Sequence, residues 1–127
     1  MLGRATFLTL LVAGLVLAYW AWRRPPRRLV RLDLRDVGLD GPAIVQFTSP
    51  TCAPCRKAAP VLAEAAERVG LRFAQIDVAD RPDLAGRYGI RTVPTIVVAS
   101  RGGTVVASWT SLPEPHALDD VARVALG

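Results

Sequence analysis

The stretch AIVQFTSPTCAPC, residues 43–55, decides both the fold and the chemistry that we expect of this chain. Ala43 to Thr48 is apolar and rich in β-formers, which predicts a buried strand. Ser49 to Thr51 contains a central proline and predicts a turn. A helix is then predicted from Cys52 to about Val69, where a glycine follows it. Two cysteines are therefore expected at the junction between a strand and a helix.

Cys52 and Cys55 form a C-x-x-C pair at the start of this helix, an arrangement suited to thiol–disulfide exchange. The unpaired N–H groups and the positive dipole end of a helix favour a thiolate at Cys52, so Cys52 is the candidate nucleophile. Cys55 lies one turn later and can attack a mixed disulfide at Cys52, so it is the candidate resolving thiol. We expect no cofactor beyond the disulfide of these two cysteines.

Three other interpretations of the cysteines are weaker. A structural disulfide across two residues closes so short a loop that it adds little stability. Zinc needs four ligands, whereas the chain offers two cysteines and a lone histidine, His116, which is expected in a solvated turn. We therefore expect no metal site. Buried, unreactive cysteines do not fit the start of a helix.

The rest of the soluble part alternates between strand-like and helix-like patterns. The order strand, helix, strand, helix, hairpin, helix predicts an α/β fold in which helices flank a mixed sheet. The predicted strands are Leu71–Val78, Thr95–Ser100 and Thr104–Trp109, with a weak edge strand over Leu29–Leu34, a loop over Asp36–Pro42, and helices over Asp80–Tyr88 and Glu114–Leu126.

Several motifs occur together between Ala43 and Leu126: the CAPC quartet after an apolar strand, Pro60 five residues after the second cysteine, YGIR at 88–91, VPT at 93–95, and a Gly-Gly hairpin followed by a helix. In these features the sequence resembles the thioredoxin family. The resemblance implies a thioredoxin-like fold, protein disulfide substrates, and an electron donor that is either thioredoxin-reductase-like or a membrane protein.

The same resemblance implies the substrate-binding residues. Pro94 is expected to be a cis proline that faces the dithiol, with a substrate strand pairing with the backbone at Val93. Thr51, Ala53 and Pro54 would form the surface around the cysteines.

This chain departs from the family pattern at three places. The family usually has Trp before the first cysteine and Gly-Pro between the pair, whereas this chain has Thr51 and Ala53-Pro54. The family's buried acid, six positions before the first cysteine, is here Gln46, which cannot act as a general base, so slow turnover is expected. No histidine lies between the cysteines, which favours a reducing rather than an oxidising dithiol.

An uncharged segment precedes the soluble part. Ala5 to Trp22 contains 18 uncharged residues, which would span about 27 Å as a helix and cross a lipid bilayer. Aromatic residues cluster at its end, and an arginine run follows, as in a membrane anchor. A buried core helix and a cleaved signal peptide are the alternatives. A cleaved signal peptide would have basic residues before the apolar segment and small residues at its cleavage site.

The formal charge of +5 is unevenly distributed. Residues 1–31 carry six arginines and no acid, which leaves −1 for residues 32–127. A nearly neutral body argues against nucleic-acid binding. Arginines that follow the apolar segment favour a cytoplasmic domain, and Pro25-Pro26 predicts a stiff spacer.

We therefore expect a membrane anchor and linker over residues 1–28 and a thioredoxin-like domain over 29–127. The predicted function is that of a membrane-tethered protein disulfide reductase. Two alternatives are a non-catalytic thioredoxin-fold module that binds a partner or senses redox state, and an extracytoplasmic thiol reductase for cytochrome maturation.

Overall fold

The computed structural model describes residues 2–23 and 29–127. Helices and strands alternate as the sequence pattern predicts, with short connections between them. In chain order the elements are α1 (Leu2–Trp22), a 3-10 helix (Leu34–Val37), β1 (Ala43–Thr48), α2 (Ala53–Val69), β2 (Arg72–Asp77), α3 (Pro82–Arg87), β3 (Thr95–Ala99), β4 (Val105–Trp109) and α4 (Pro115–Leu126).

The four strands form one mixed sheet in the order β2-β1-β3-β4. β1 is parallel to β2 and antiparallel to β3, and β3 is antiparallel to β4. Register pairs Phe47 with Thr95 and Ala43 with Ala99, so β3 begins where β1 ends. The predicted thioredoxin-like mixed sheet flanked by helices is confirmed.

β1 is buried on both faces, which explains why apolar residues occupy successive positions of the strand and do not alternate with exposed polar ones. Ile44 faces the core shared with α2 and α4, where it packs among residues such as Leu62 and Leu118. Val45 and Phe47 face the opposite core, which includes Leu84 of α3 and the segment before β1. The central strand thus carries the site on a scaffold that is packed from both sides.

The helix after β1 begins one residue later than its first cysteine. Cys52 has an extended backbone and is the N-cap, so α2 runs from Ala53 to Val69, with Pro60 inside it. Gly70 ends the helix in the left-handed conformation, with φ of 89°.

The predicted edge strand over Leu29–Leu34 is wrong, whereas the loop predicted over Asp36–Pro42 is confirmed except at Asp36 and Val37, which belong to a 3-10 helix. Only an isolated bridge between Arg31 and Thr104 forms, and a 3-10 helix follows from Leu34. The cause is Asp33, whose side chain accepts a hydrogen bond from the N–H of Arg35 at 3.0 Å and so caps a helical turn. The same hydrogen bond lowers the pKa of the Asp33 carboxyl.

The hairpin after β3 closes against this segment. Leu32 N–H donates to the carbonyl oxygen of Gly103 at 2.8 Å. Gly103 has φ of 82°, and a Cβ at this position would collide with the carbonyl oxygen of Leu32. Glycine is therefore required where the hairpin and the segment before β1 approach each other.

α1 has 21 residues, none of them buried, and is long and apolar enough to cross a membrane. Its exposure does not fit the alternative of a buried core helix. The Pro25-Pro26 spacer and the domain boundary at residue 28 lie outside the described residues.

Tyr88 fastens the 3-10 helix to α3. Its hydroxyl donates to Oδ2 of Asp36 and accepts a hydrogen bond from the N–H of Asp33 at 3.2 Å. Arg87 Nη1 lies 2.7 Å from the same Asp36 oxygen. Burial, and then the hydrogen bond to Asp36, raise the pKa of Tyr88.

Tyr88→Phe should lower the free energy of unfolding by about 1–2 kcal/mol at neutral pH, because two hydrogen bonds are lost. Since the folded pKa is raised, this contribution is complete below the ordinary tyrosine pKa of about 10 and disappears as pH rises through the folded value. Urea unfolding of the full chain in detergent, followed by far-UV circular dichroism, measures it. Tyr19→Phe in α1 is the control, and a difference that persists undiminished above about pH 11 would contradict this account.

Candidate active site

The two cysteines form a disulfide at the N-terminus of α2, with an S–S distance of 2.10 Å and a Cα–Cα distance of 5.3 Å. Sγ of Cys52 accepts a hydrogen bond from the N–H of Cys55 at 3.2 Å. The sulfur of the N-cap residue therefore occupies the position in which a side-chain oxygen normally caps a helix. Negative charge on this sulfur is favoured by the same N–H group and by the helix dipole.

The two cysteines differ in their access to solvent. Cys52 is 8% exposed and Cys55 only 1%. Thr51, Ala53 and Pro54 are all exposed around them. An incoming sulfur can therefore reach Cys52 more readily than Cys55.

Gln46 lies fully buried beneath the second cysteine. Its Nε2 donates to the carbonyl oxygen of Cys55 at 3.0 Å, and its Oε1 accepts from Nε2 of Gln75 at 3.0 Å. The amide thus ties the first turn of α2 to two strands of the sheet and has partners at both ends.

Gln75 is a site residue that the sequence analysis missed. It is exposed and lies directly opposite Gln46 in the parallel register of β1 and β2. Gln75 is a polar residue in the middle of a predicted strand, and this was the one sign of a role for it. Its partner, Gln46, depends on a strand register that the sequence pattern does not specify.

Arg56 was also missed. Its Nη1 donates to the carbonyl oxygen of Pro50 at 3.2 Å, so it fastens the turn that leads into Cys52. Arg56 and Lys57 are both exposed and give the beginning of α2 a positive surface.

The Val93–Pro94 peptide bond is cis, as the family resemblance implied. Pro94 is buried immediately before β3, and Thr95 Oγ1 donates to the carbonyl oxygen of Thr92 at 2.7 Å. Because Thr95 pairs with Phe47, Pro94 lies at the end of the sheet where β1 leads into Cys52. The fold therefore brings Cys52 and Pro94, far apart in sequence, to the same end of the sheet.

Metal-ligating side chains do not gather in groups of three or more within residues 2–23 and 29–127. His116 lies in the first turn of α4, where Nδ1 is 3.4 Å from Oε2 of Glu114 and both side chains are largely exposed.

A disulfide at the N-cap of a helix, together with a cis proline at the same end of a mixed sheet, defines the class of thiol–disulfide oxidoreductases with a thioredoxin fold. The thioredoxin family model matches residues 35–121, well over half of the chain. This chain belongs to the thioredoxin family.

Relatives of known name agree with this assignment. Thioredoxin from Bacillus subtilis (strain 168) is 37% identical over 86 residues, which are 66% of this chain and 82% of the relative. Chloroplastic thioredoxin M5 from Oryza sativa subsp. japonica is 40% identical over 72 residues, but these are 55% of this chain and only 42% of that protein. The solved structure of a mutant thioredoxin from Halobacterium salinarum NRC-1 superimposes with a TM-score of 0.64 and 32% identity, covering 76% of this chain and 87% of the other.

Gln46→Asp should raise the rate of disulfide reduction several-fold, because a carboxylate can accept the proton that the resolving thiol must lose. The Cys55 carbonyl also loses its donor when the new carboxyl is ionised, which should cost about 1–3 kcal/mol of stability. Turnover is measured with a disulfide substrate and stability by urea unfolding, both on the full chain in detergent.

Gln46→Asn is the matched control, because it shortens the side chain equally and keeps a neutral amide. It should lose stability without gaining rate. An Asp variant that is no faster than the Asn variant would show that proton transfer at position 46 does not limit turnover.

Proposed function

We propose that this chain is a membrane-tethered protein disulfide reductase that uses Cys52 and Cys55. The observation that carries the proposal is the asymmetry of the pair. Cys52 is the more accessible sulfur and caps α2, whereas Cys55 is almost fully buried above Gln46. This asymmetry suits a reaction in which one sulfur meets the substrate and the other completes the exchange inside the protein.

In the proposed reaction the Cys52 thiolate attacks one sulfur of a substrate disulfide. The S–S bond of the substrate breaks, a mixed disulfide forms at Cys52, and the first substrate sulfur leaves as a thiolate that takes up a proton. The Cys55 thiol then loses its proton and attacks the Cys52 sulfur. The Cys52–Cys55 disulfide forms, and the second substrate sulfur leaves. The substrate gains two electrons, and the enzyme's dithiol loses them.

Proton removal from Cys55 is the unusual step. Gln46 has no basic group, and its amide is already hydrogen-bonded to the Cys55 carbonyl and to Gln75. Water or the departing substrate thiolate would take the proton instead, so turnover would be slow for this class.

The substrate would bind at the end of the sheet that carries the cysteines. Thr51, Ala53 and Pro54 are exposed around Cys52, and the backbone at Val93 precedes the cis Pro94. An extended substrate segment that pairs with this backbone would bring its disulfide to Cys52.

The tether in this proposal is α1, with residues 1–28 as anchor and linker and residues 29–127 as the thioredoxin-like domain. Support comes from its apolar length and from the five arginines that follow within residues 23–31. These arginines favour a cytoplasmic domain. Tethering would raise the effective concentration of the dithiol near the membrane.

Each cycle leaves the disulfide to be reduced again. The proposed donor is a protein dithiol, supplied by a thioredoxin-reductase-like enzyme or by a membrane protein, and transfers two electrons by the same exchange chemistry.

A second candidate is a redox-sensing module, in which the dithiol only switches affinity for a partner. The observation that favours it is Gln46, because a neutral amide below Cys55 suits a slow switch better than a fast catalyst.

The reductase proposal predicts that the full chain in detergent reduces insulin and that Cys52→Ser abolishes the activity. Cys55→Ser is the matched control. It should also lose turnover, yet accumulate a covalent adduct with the substrate, which the Cys52 variant cannot form. Absence of insulin reduction by the wild type would favour the redox-sensing module.

The same Cys55→Ser variant, expressed in cells, tests the side of the membrane. Its disulfide-linked partners should be cytoplasmic proteins. Adducts with extracytoplasmic proteins alone would contradict the proposed orientation and favour the alternative in cytochrome maturation.

A further inference from the structure

A cavity of about 610 Å³ is lined by charged side chains and lies away from the cysteines. Its lining includes the hairpin turn at 101–103 and the segment that leads into the domain. The charged residues that line it are Arg31, Arg35, Arg87, Arg101, Asp33 and Asp40.

The register of the sheet shows where this cavity lies. β1 begins at Ala43, which pairs with Ala99 at the end of β3, and the turn containing Arg101 follows at once. β1 ends at Thr48, beside the start of β3, and leads into Cys52. We call the end of the sheet where β1 begins the arginine end, and the end where β1 finishes the dithiol end. Six residues of strand separate them by about 17 Å.

Four of the six charged side chains that line the cavity are neutralised in ion pairs. Arg35 lies 3.5 Å from Asp33, Arg87 lies 2.7 Å from Asp36, and Asp40 lies 3.0 Å from Arg72, outside the cavity.

Arg31 and Arg101 differ from these side chains in their hydrogen-bond and ion-pair partners. Arg31 Nη2 donates to the carbonyl oxygen of Gly102 at 3.2 Å, and both arginines are exposed. Within residues 2–23 and 29–127, neither has an acidic partner within 4.0 Å. Two uncompensated positive charges therefore stand together beside an open cavity.

We propose that the arginine end binds the phosphate headgroups of anionic phospholipids in the bilayer that α1 crosses. The inference rests on the membrane tether proposed above and adds an orientation to it. The dithiol end, at the other end of the strands, then faces away from the bilayer, toward soluble proteins or domains that project from the membrane.

Chain length supports a lipid as the occupant. Leu29 is six residues after Arg23, the last described residue next to α1. Even a fully extended chain of this length spans only about 20 Å. Arg31 follows two residues later, so the chain keeps one of the two arginines within about 28 Å of Arg23, beside the end of α1.

Charge complementarity supports the same occupant. Guanidinium groups bind phosphate oxygens through paired hydrogen bonds. The cytoplasmic leaflet, on which the proposed orientation places the domain, carries the anionic lipids. Because the Debye length is about 8 Å at physiological salt, only charges near the headgroups contribute, and the proposed docking would bring Arg31 and Arg101 into that range.

The test uses the full chain with Cys52→Ser and Cys55→Ser, so that a single added cysteine carries a bimane label. One form is labelled at Gly102→Cys, where a Cβ meets no atom within 4 Å, and the other at exposed Thr51→Cys. Each is incorporated into nanodiscs of phosphatidylcholine, with or without phosphatidylglycerol, that contain a lipid spin-labelled on its headgroup.

Quenching should be stronger at position 102 than at position 51, and phosphatidylglycerol should increase it at position 102 only. Arg31→Gln with Arg101→Gln should lower the ratio of docked to undocked domain by about 30-fold, the factor expected for two arginines at an anionic surface. Arg31→Lys with Arg101→Lys, which keeps both positive charges, should retain docking. Arg81→Gln with Arg123→Gln, which removes the same charge elsewhere, should have no effect.

Co-elution with the nanodisc separates the two ways of failing. A chain that does not co-elute contradicts the membrane tether and this inference with it. A chain that co-elutes but shows equal quenching at both labels, or quenching that is independent of phosphatidylglycerol, overturns the inference and leaves the tether intact.

Discussion

The hydrogen bond from buried Gln46 to the carbonyl oxygen of Cys55 holds the dithiol in place. It joins the central strand, which is packed on both faces, to the first turn of α2. Because that turn is fixed, the backbone N–H of Cys55 points to the sulfur of Cys52, and the N-cap geometry follows. The different exposure of the two sulfurs, and the different roles proposed for them, accompany this attachment.

Local patterns were enough to predict the sheet, the helix at Cys52 and the hairpin, because apolar periodicity and glycine or proline positions specify them. The edge strand over Leu29–Leu34 failed because Asp33 caps a turn and overrides a weak alternation. Gln75 and Arg56 escaped notice for another reason. Their partners, Gln46 and the Pro50 carbonyl, are set by strand register and turn geometry, which no local pattern encodes. The cis form of Pro94 was predicted from the family resemblance and not from periodicity.

The two ends of the sheet have different proposed roles, disulfide reduction at one and lipid binding at the other. One end brings together Cys52 and Pro94, and the other brings Arg31 and Arg101 together in the lining of one cavity. A thioredoxin-like domain attached in this way would present its reactive sulfur at a nearly constant distance from the bilayer. In the proposed mechanism, Gln46 in place of an acid would give a firmly held dithiol that reacts slowly. Under the proposed tether, placement near its clients at a high effective concentration would compensate for slow chemistry.

In the proposed reaction, N-cap placement makes Cys52, and not Cys55, the reacting thiolate. Competitive alkylation of the reduced full chain at neutral pH tests it most directly, with peptide mass spectrometry reporting the modified position. Cys52 should react at least about tenfold faster than Cys55, because it is the more exposed sulfur and is stabilised as thiolate by the helix terminus. Equal rates, or faster modification of Cys55, would contradict the account.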